Sequence, residues 1–203
     1  VSEPARRLVL ASANAGKGRE FAALLAPLGI EVLLQSTLGI ASVEETGTSF
    51  EANALLKARQ AAQLSGLPAL ADDSGLEVEA LEGRPGVRSA RYAGEAATDQ
   101  DNNAKLLAEL ADIPASGRSA RYHCVLALVR GANDPAPLLA PGSWEGQIAL
   151  APAGTGGFGY DPLFVPRGFE QTVAQLPPAV KNRLSHRAVA VAVLARELVR
   201  AGL

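Results

Sequence analysis

The sequence predicts a mixed α/β fold. Three observations carry that expectation: short apolar runs bounded by turn residues, amphipathic segments with helical spacing between them, and long strand-like stretches late in the chain with no helix separating them. Strands alternating strictly with helices would imply a parallel sheet, whereas the added hairpin-like stretches imply a mixed one.

Leu8-Val9-Leu10-Ala11 reads as a short buried strand. A turn and a helix from about Lys17 to Leu28 follow, with Phe21, Leu24, Leu25 and Leu28 on one face. Ile30 to Leu34 is a second strand. Thr48-Ser49-Phe50-Glu51 has the capping-box pattern and opens a helix that Gly66 ends, with Asn53 and Lys57 one turn apart on one face. Leu67 to Ala71 is a buried strand that breaks into Asp72-Asp73-Ser74-Gly75, and Leu76 to Ala80 is its expected hairpin partner. Gly83-Arg84-Pro85-Gly86 is turn chemistry. Thr98 caps a helix to Leu110 with Asp101 at its third position. Ser119 to Arg130 is the clearest long strand, and Leu138-Leu139 and Ser143 to Leu150 continue a meander. Leu163-Phe164-Val165 is a last short strand, and Ser185 caps a final helix, His186 to Arg200.

At 203 residues the chain is long enough for one large α/β domain or two intimate lobes, and it has no internal repeat or linker. Hydrophobic residues at 48% and charged residues at 20% fit a globular enzyme and exclude disorder. A net charge of −2 removes any broad electrostatic case for binding a nucleic acid polymer. The single cysteine, Cys124, excludes an intramolecular disulfide and reads as an inert core residue. No segment has the length and apolarity of a membrane span or a signal peptide, so a cytoplasmic protein with no membrane partner is expected. Of the 19 basic residues, four are lysines (Lys17, Lys57, Lys105 and Lys181) and 15 are arginines. In a chain that otherwise uses Arg each Lys invites the question of its role; a compact ammonium suits phosphate oxygens, and the bland alternative is four ordinary surface lysines.

Three segments carry chemistry. Ser12-Ala13-Asn14-Ala15-Gly16-Lys17 sits between a strand and a helix; Ala11 and Gly18 exclude a Walker A loop, but helix N-terminal amides and an ammonium still suit phosphate. The bland alternative is an ordinary strand-to-helix turn. Asp72 and Asp73 offer hard oxygens of the kind Mg²⁺ takes, with Glu45 as a third carboxylate. Because side chains alternate along a strand, both acids face one site only if the strand has ended there. Their bland alternative is a solvated Asp-Ser-Gly turn. The loop Gly154 to Asp161 has four glycines, with Phe158 or Tyr160 placed to stack on a base, or else simply to anchor the loop in the core. Arg187 near the start of the last helix opposes its dipole, so its place there calls for another reason, such as an anionic or carbonyl-bearing ligand. Trp144 reads as core or interface.

Six stretches in register resemble the inosine triphosphate pyrophosphatase family: LVLASANAGKGRE at 8–20, EETGTSFEANALLKA at 44–58, ALADDSGLEVEAL at 69–81, RPGVRSARYAG at 84–94, GTGGFGYDPLFVP at 154–166 and KNRLSHRA at 181–188. Ser12 and Ala13 stand where many members have Thr and Gly, and Tyr160 where some have Trp. The resemblance implies a single pyrophosphatase domain over residues 1–203, elongated and two-lobed around a long mixed sheet, with a cleft between the lobes and a homodimeric state. It implies Mg²⁺-dependent hydrolysis of ITP, dITP or XTP to the monophosphate and pyrophosphate. By the same resemblance Asp73 is the base that activates water and Lys17 its catalytic companion, while Glu45, Asp73 and Asp72 form the metal site. Ser12, Ala13, Asn14, Ala15, Gly16, Lys17 and Lys57 hold the triphosphate, and Ser74 joins the substrate site. Phe158, Gly159 and Tyr160 flank the base, whose edge is read by Asp161, Lys181, His186 and Arg187. A Maf-type pyrophosphatase acting on pyrimidine or modified nucleotides and a nucleotide-binding sensor without turnover are the alternatives.

Overall fold

Residues 6–200 are described by the computed structural model. Of the domain expected over residues 1–203, residues 1–5 and 201–203 lie outside the described residues. The elements are β1 (Arg6–Leu10), α1 (Ala15–Leu25), β2 (Ile30–Leu34), α2 (Phe50–Ser65), β3 (Ala69–Val78), α3 (Asp99–Glu109), β4 (Ser119–Val129), β5 (Leu138–Ile148), β6 (Phe164–Pro166), α4 (Pro178–Leu184) and α5 (His186–Arg200). The strands form a six-stranded sheet in the order β2-β1-β3-β4-β5-β6. β1 runs parallel to both β2 and β3, with Val9 opposite Leu33 and Ala69, whereas β5 and β6 are antiparallel, Gln147 opposite Val165. The mixed sheet expected from the sequence is therefore present.

Two compact units divide the described residues: 6–73, 124–142 and 187–200 in the first, 74–123 and 143–186 in the second. In the first, the two-residue period of the strands sorts side chains onto two faces. Leu8, Leu10, Leu70, Cys124, Leu126 and Leu128 pack with Phe21 and Leu25 of α1 and with Ala190, Val191 and Leu194 of α5. Val9, Ala11, Ala69, Ala71, Ala127 and Val129 pack instead with Ala54, Ala58, Ala61 and Ala62 of α2. The alanines on α2 recur at helical spacing, and small side chains on both surfaces let that helix lie close against the strands. Burial pushes the Cys124 thiol up, in keeping with an inert core residue.

In the second unit a cluster including Leu76, Val78, Tyr92, Leu106, Leu110, Tyr122, Trp144, Tyr160, Leu163 and Phe164 forms the core, which gives Trp144 its structural role. Arg118 is buried beneath the end of α3. Its guanidinium donates to the carbonyls of Ile113 (2.8 Å), Leu110 (2.6 Å) and Ala149 (3.3 Å), so one planar cation satisfies three acceptors.

Four details differ from the sequence expectation. The first helix begins at Ala15, because the Asn14 side chain caps it by accepting from the Lys17 N–H. The N-cap of α2 is Ser49, which accepts from the Ala52 N–H, so Thr48 and Glu51 do not form the expected box. Gly66 ends α2 in the left-handed conformation as expected. β3 does not break at Asp72 but continues to Val78, so Leu76 to Ala80 is no hairpin partner. Gly75 marks close approach rather than a turn: a Cβ there would collide with the Gly86 carbonyl and the Ser89 hydroxyl. Finally, a further short helix, α4, opened by Pro178, holds Lys181 ahead of α5.

Replacing Arg118 with Met should lower unfolding stability by about 2 kcal/mol, since the buried Leu110 carbonyl and the half-buried Ile113 and Ala149 carbonyls lose their donor. Urea denaturation checks this, and a loss under about 1 kcal/mol would show that these carbonyls find other partners.

Candidate active site

In the first unit the pleat of β3 sends its two acids to opposite faces. Asp72 shares the parity of Leu70 and Asp73 that of Ala71, and each meets its own cations. Asp72 Oδ2 lies 2.9 Å from Lys17 Nζ and 3.0 Å from Arg187 Nε, and Arg187 Nη1 reaches Glu20 at 2.9 Å. Burial opposes ionisation of Asp72, but Lys17 and Arg187 outweigh it and hold the carboxyl well below the usual range. Burial likewise works against the Arg187 cation, and Asp72 and Glu20 reverse that and raise it further.

Asp73 faces α2. Lys57 Nζ lies 2.6 Å from Asp73 Oδ1 and 2.8 Å from Glu45 Oε1, and donates to the Asp72 carbonyl at 3.0 Å. Asn53, one turn before Lys57, donates to Asp73 Oδ2 at 3.2 Å. Burial pushes the Asp73 carboxyl above its ordinary value, and the neighbouring Glu45 charge adds to this against the pull of Lys57. Lys57 is raised: burial disfavours its charge, and Asp73 and Glu45 more than compensate. The result is a buried carboxylate tuned towards accepting a proton.

Ser12, Asn14 and Lys17 are brought together at the start of α1. The Ser12 hydroxyl accepts from the Asn14 N–H at 3.1 Å, and the Asn14 side-chain Oδ1 accepts from the Lys17 N–H at 3.0 Å. Ala13, Asn14 and Ala15 are exposed, with Gly16 half-buried behind them. A helix start that is exposed at Ala13 to Ala15 and carries an ammonium is an anion-binding arrangement.

The second unit holds its own set. The Asp161 carboxylate is buried and accepts from Lys181 Nζ (2.6 Å), the Phe158 N–H (2.9 Å) and the Tyr122 hydroxyl (3.2 Å). The Lys181 ammonium also lies 4.4 Å from the centre of the Phe158 ring. The His186 ring stacks on Tyr122 with centroids 4.8 Å apart. The glycine-rich loop is fastened from below: Gly159 donates to Asp99 at 2.6 Å and accepts from Asn103 at 3.0 Å. At Gly157 a Cβ would collide with the Asp161 carboxylate. Ser74 is half-buried in β3.

These positions alter three expectations. Glu45, Asp72 and Asp73 do not assemble as one metal-ligating group, and no group of three or more such side chains does so among the described residues. The reason is that β3 continues, so Asp72 belongs to Lys17 and Arg187 on the other face. Arg187, expected to answer a ligand, has the protein's own Asp72 and Glu20 as anionic partners. Of the two aromatics in the loop, Tyr160 is 4% exposed with its hydroxyl donated to the Ser89 carbonyl, so it serves as the anchor, and Phe158 is the half-buried ring. Sequence reasoning passed over Asn53 and Tyr122 as site residues. The helical spacing of Asn53 and Lys57 was the one available signal for the former.

Residues 8–197 match the Ham1 family. The chain belongs to the Ham1 family. A dITP/XTP pyrophosphatase of Methylococcus capsulatus is 58% identical, covering 95% of this chain and 96% of the relative. One of Shigella flexneri is 54% identical, covering 93% and 96%. Among solved structures, a HAM1 protein from Coxiella burnetii is 48% identical with a TM-score of 0.86, over 96% of this chain and 98% of that one. The resemblance drawn from the six motifs is thereby borne out, and no helix of the described residues is long and apolar enough to cross a membrane.

The Asp72 network gives a stability prediction with a defined pH window. Its folded carboxyl sits below the unfolded value, so its contribution is complete above about pH 4 and is lost as the pH falls further. Asp72→Asn should cost about 3 kcal/mol at neutral pH by stranding buried cations, and the gap to the parent protein should close on acidification. Denaturant unfolding at neutral and acid pH measures both, and a gap that does not change with pH would contradict the assignment.

Proposed function

We propose that this Ham1-family chain hydrolyses deaminated purine nucleoside triphosphates (ITP, dITP and XTP) to the monophosphate and pyrophosphate, clearing non-standard purines from the nucleotide pool. The observation that carries the reading is Asp73. It is a buried carboxylate raised by its surroundings and fixed between Lys57 and Asn53, in a chain more than half identical to dITP/XTP pyrophosphatases.

Asp73 takes the proton of a water that attacks the α-phosphorus, and pyrophosphate is the leaving group. Lys17, with the first amides of α1 and the Ser12-Ala13-Asn14 turn, holds the phosphate chain, and Lys57 neutralises charge beside Asp73. The donor set of Glu45 and Asp73 fits Mg²⁺, which binds through one or two carboxylates and completes its shell with waters and substrate phosphates. When bound, Mg²⁺ would offset the negative charge that accumulates on the phosphate oxygens. Asp72 acts at one remove, fixing Lys17.

Phe158 offers a ring to the base, and Lys181, ordered by Asp161, offers an ammonium to a 6-oxo acceptor. Adenine presents an amine at that position, which leaves donors facing each other at about 1–3 kcal/mol per buried group. The same reading makes the protein a cytoplasmic homodimer, which sedimentation tests.

Pyrophosphate release should be measured across a panel of nucleoside triphosphates with and without Mg²⁺. dITP and XTP should exceed ATP in kcat/KM by about 10²-fold or more. Asp73→Asn should lower kcat by about 10²–10⁴-fold while the fold, read by circular dichroism, is retained. Preference for dTTP or UTP would overturn the substrate class.

A further inference from the structure

We propose that Asn53 is the positioning residue for the reaction, a strut whose amide fixes Asp73 and ties the Glu45 segment to α2. The inference rests on the pyrophosphatase reading and adds a residue to it. Asn53 is fully buried, with 0% exposure, although it is polar and lies in a helix whose inward face is otherwise mostly alanine. Both ends of its amide are used. The oxygen accepts from the Gly47 N–H at 2.8 Å, and the nitrogen donates to Asp73 Oδ2 at 3.2 Å. These partners also fix which way the amide points, since an N–H needs an acceptor and a carboxylate a donor.

Lys57 gathers Asp73 and Glu45 by charge, but an ammonium with rotatable donors does not set the plane of a carboxylate. A second, directional bond to the other oxygen does so. With Lys57 on Oδ1 and Asn53 on Oδ2, the Asp73 carboxylate has both oxygens held. The bond to Gly47 anchors the backbone two residues after Glu45, and here the glycine is required: a Cβ at position 47 would lie 2.5 Å from the Asn53 oxygen. One side chain therefore positions the base directly and the second carboxylate through the main chain.

The test compares Asn53→Asp, which keeps the acceptor for Gly47 but turns the donor to Asp73 into a repelling oxygen, with Asn53→Ala, which removes both. Steady-state kinetics on dITP, thermal unfolding and hydrogen exchange of the Gly47 amide are read for each. Asn53→Asp should lower kcat by about 10²-fold, the scale of a misplaced reacting group, with little change in KM, and Gly47 should stay protected. Asn53→Ala should lose the Gly47 protection as well. Parent-like kcat in Asn53→Asp, a kcat loss accompanied by a matching fall in thermal midpoint, or unchanged Gly47 exchange in Asn53→Ala would overturn the strut. A parent protein inactive on every deaminated triphosphate would overturn the pyrophosphatase reading instead, and Gly47 exchange would still decide for or against the strut.

Discussion

Two carboxylates on consecutive residues have to be accommodated inside the protein, and the pleat of β3 determines how. Side chains of adjacent strand residues point to opposite faces, so Asp72 and Asp73 are separated by the sheet itself rather than stacked against each other. Each then has its own cations, Lys17 and Arg187 for Asp72, Lys57 for Asp73. The two lysines nonetheless converge on one atom, the Asp72 carbonyl oxygen, at 3.5 and 3.0 Å. Asp72 is fully buried and held ionised, which makes it a structural counter-ion. Asp73 is raised and shares its lysine with Glu45, which leaves it closer to proton transfer. Different surroundings thus shift an identical pair of acids in opposite directions.

The packing behind Asp73 follows from side-chain size. Ala54, Ala58, Ala61 and Ala62 of α2 meet Ala69, Ala71 and Ala127 of the strands, a contact with few large side chains to hold the helix away. A closely seated helix lets two short polar reaches, Asn53 and Lys57, arrive at a carboxylate on the strand. Larger residues on that face would push both donors outward together. The alanine ridge is therefore part of the site, although none of its residues has chemistry of its own.

Much of this was legible in the sequence because charge inside an apolar frame stands out. Asp72 and Asp73 after Leu67–Ala71, and three of the four lysines, could be singled out before any geometry was known. The strand's continuation could not, because Asp-Asp-Ser-Gly is also turn chemistry. Only the cations of α1, α2 and α5 make an uninterrupted strand through two acids affordable. Arg187 stands next to His186 in the sequence, yet consecutive helical residues point about 100° apart and meet different partners. Asn53 and Tyr122 were invisible as site residues for a related reason: an amide in a helix and a tyrosine in a strand are ordinary until the element that packs against them is known.

The uneven use of lysine and arginine also has a structural cause. Each lysine is a hub with several contacts of unlike geometry. Lys57 meets two carboxylates and a carbonyl, Lys181 a carboxylate and a ring face, and Lys105 the Tyr92 carbonyl and ring. A rotatable ammonium accepts such mixed surroundings, and it can exchange one oxygen for another without rebuilding them. The buried arginines do the opposite work. Arg118 spans three carbonyls and Arg187 two carboxylates in arrangements that a planar fork locks. If phosphate oxygens are to take over contacts that the protein's own acids now hold, the residues facing them should be the ones that yield. Lys17 and Lys57 can turn between Asp72, Asp73 and an incoming oxygen, while Arg187, held at both ends, keeps Asp72 in place during the exchange.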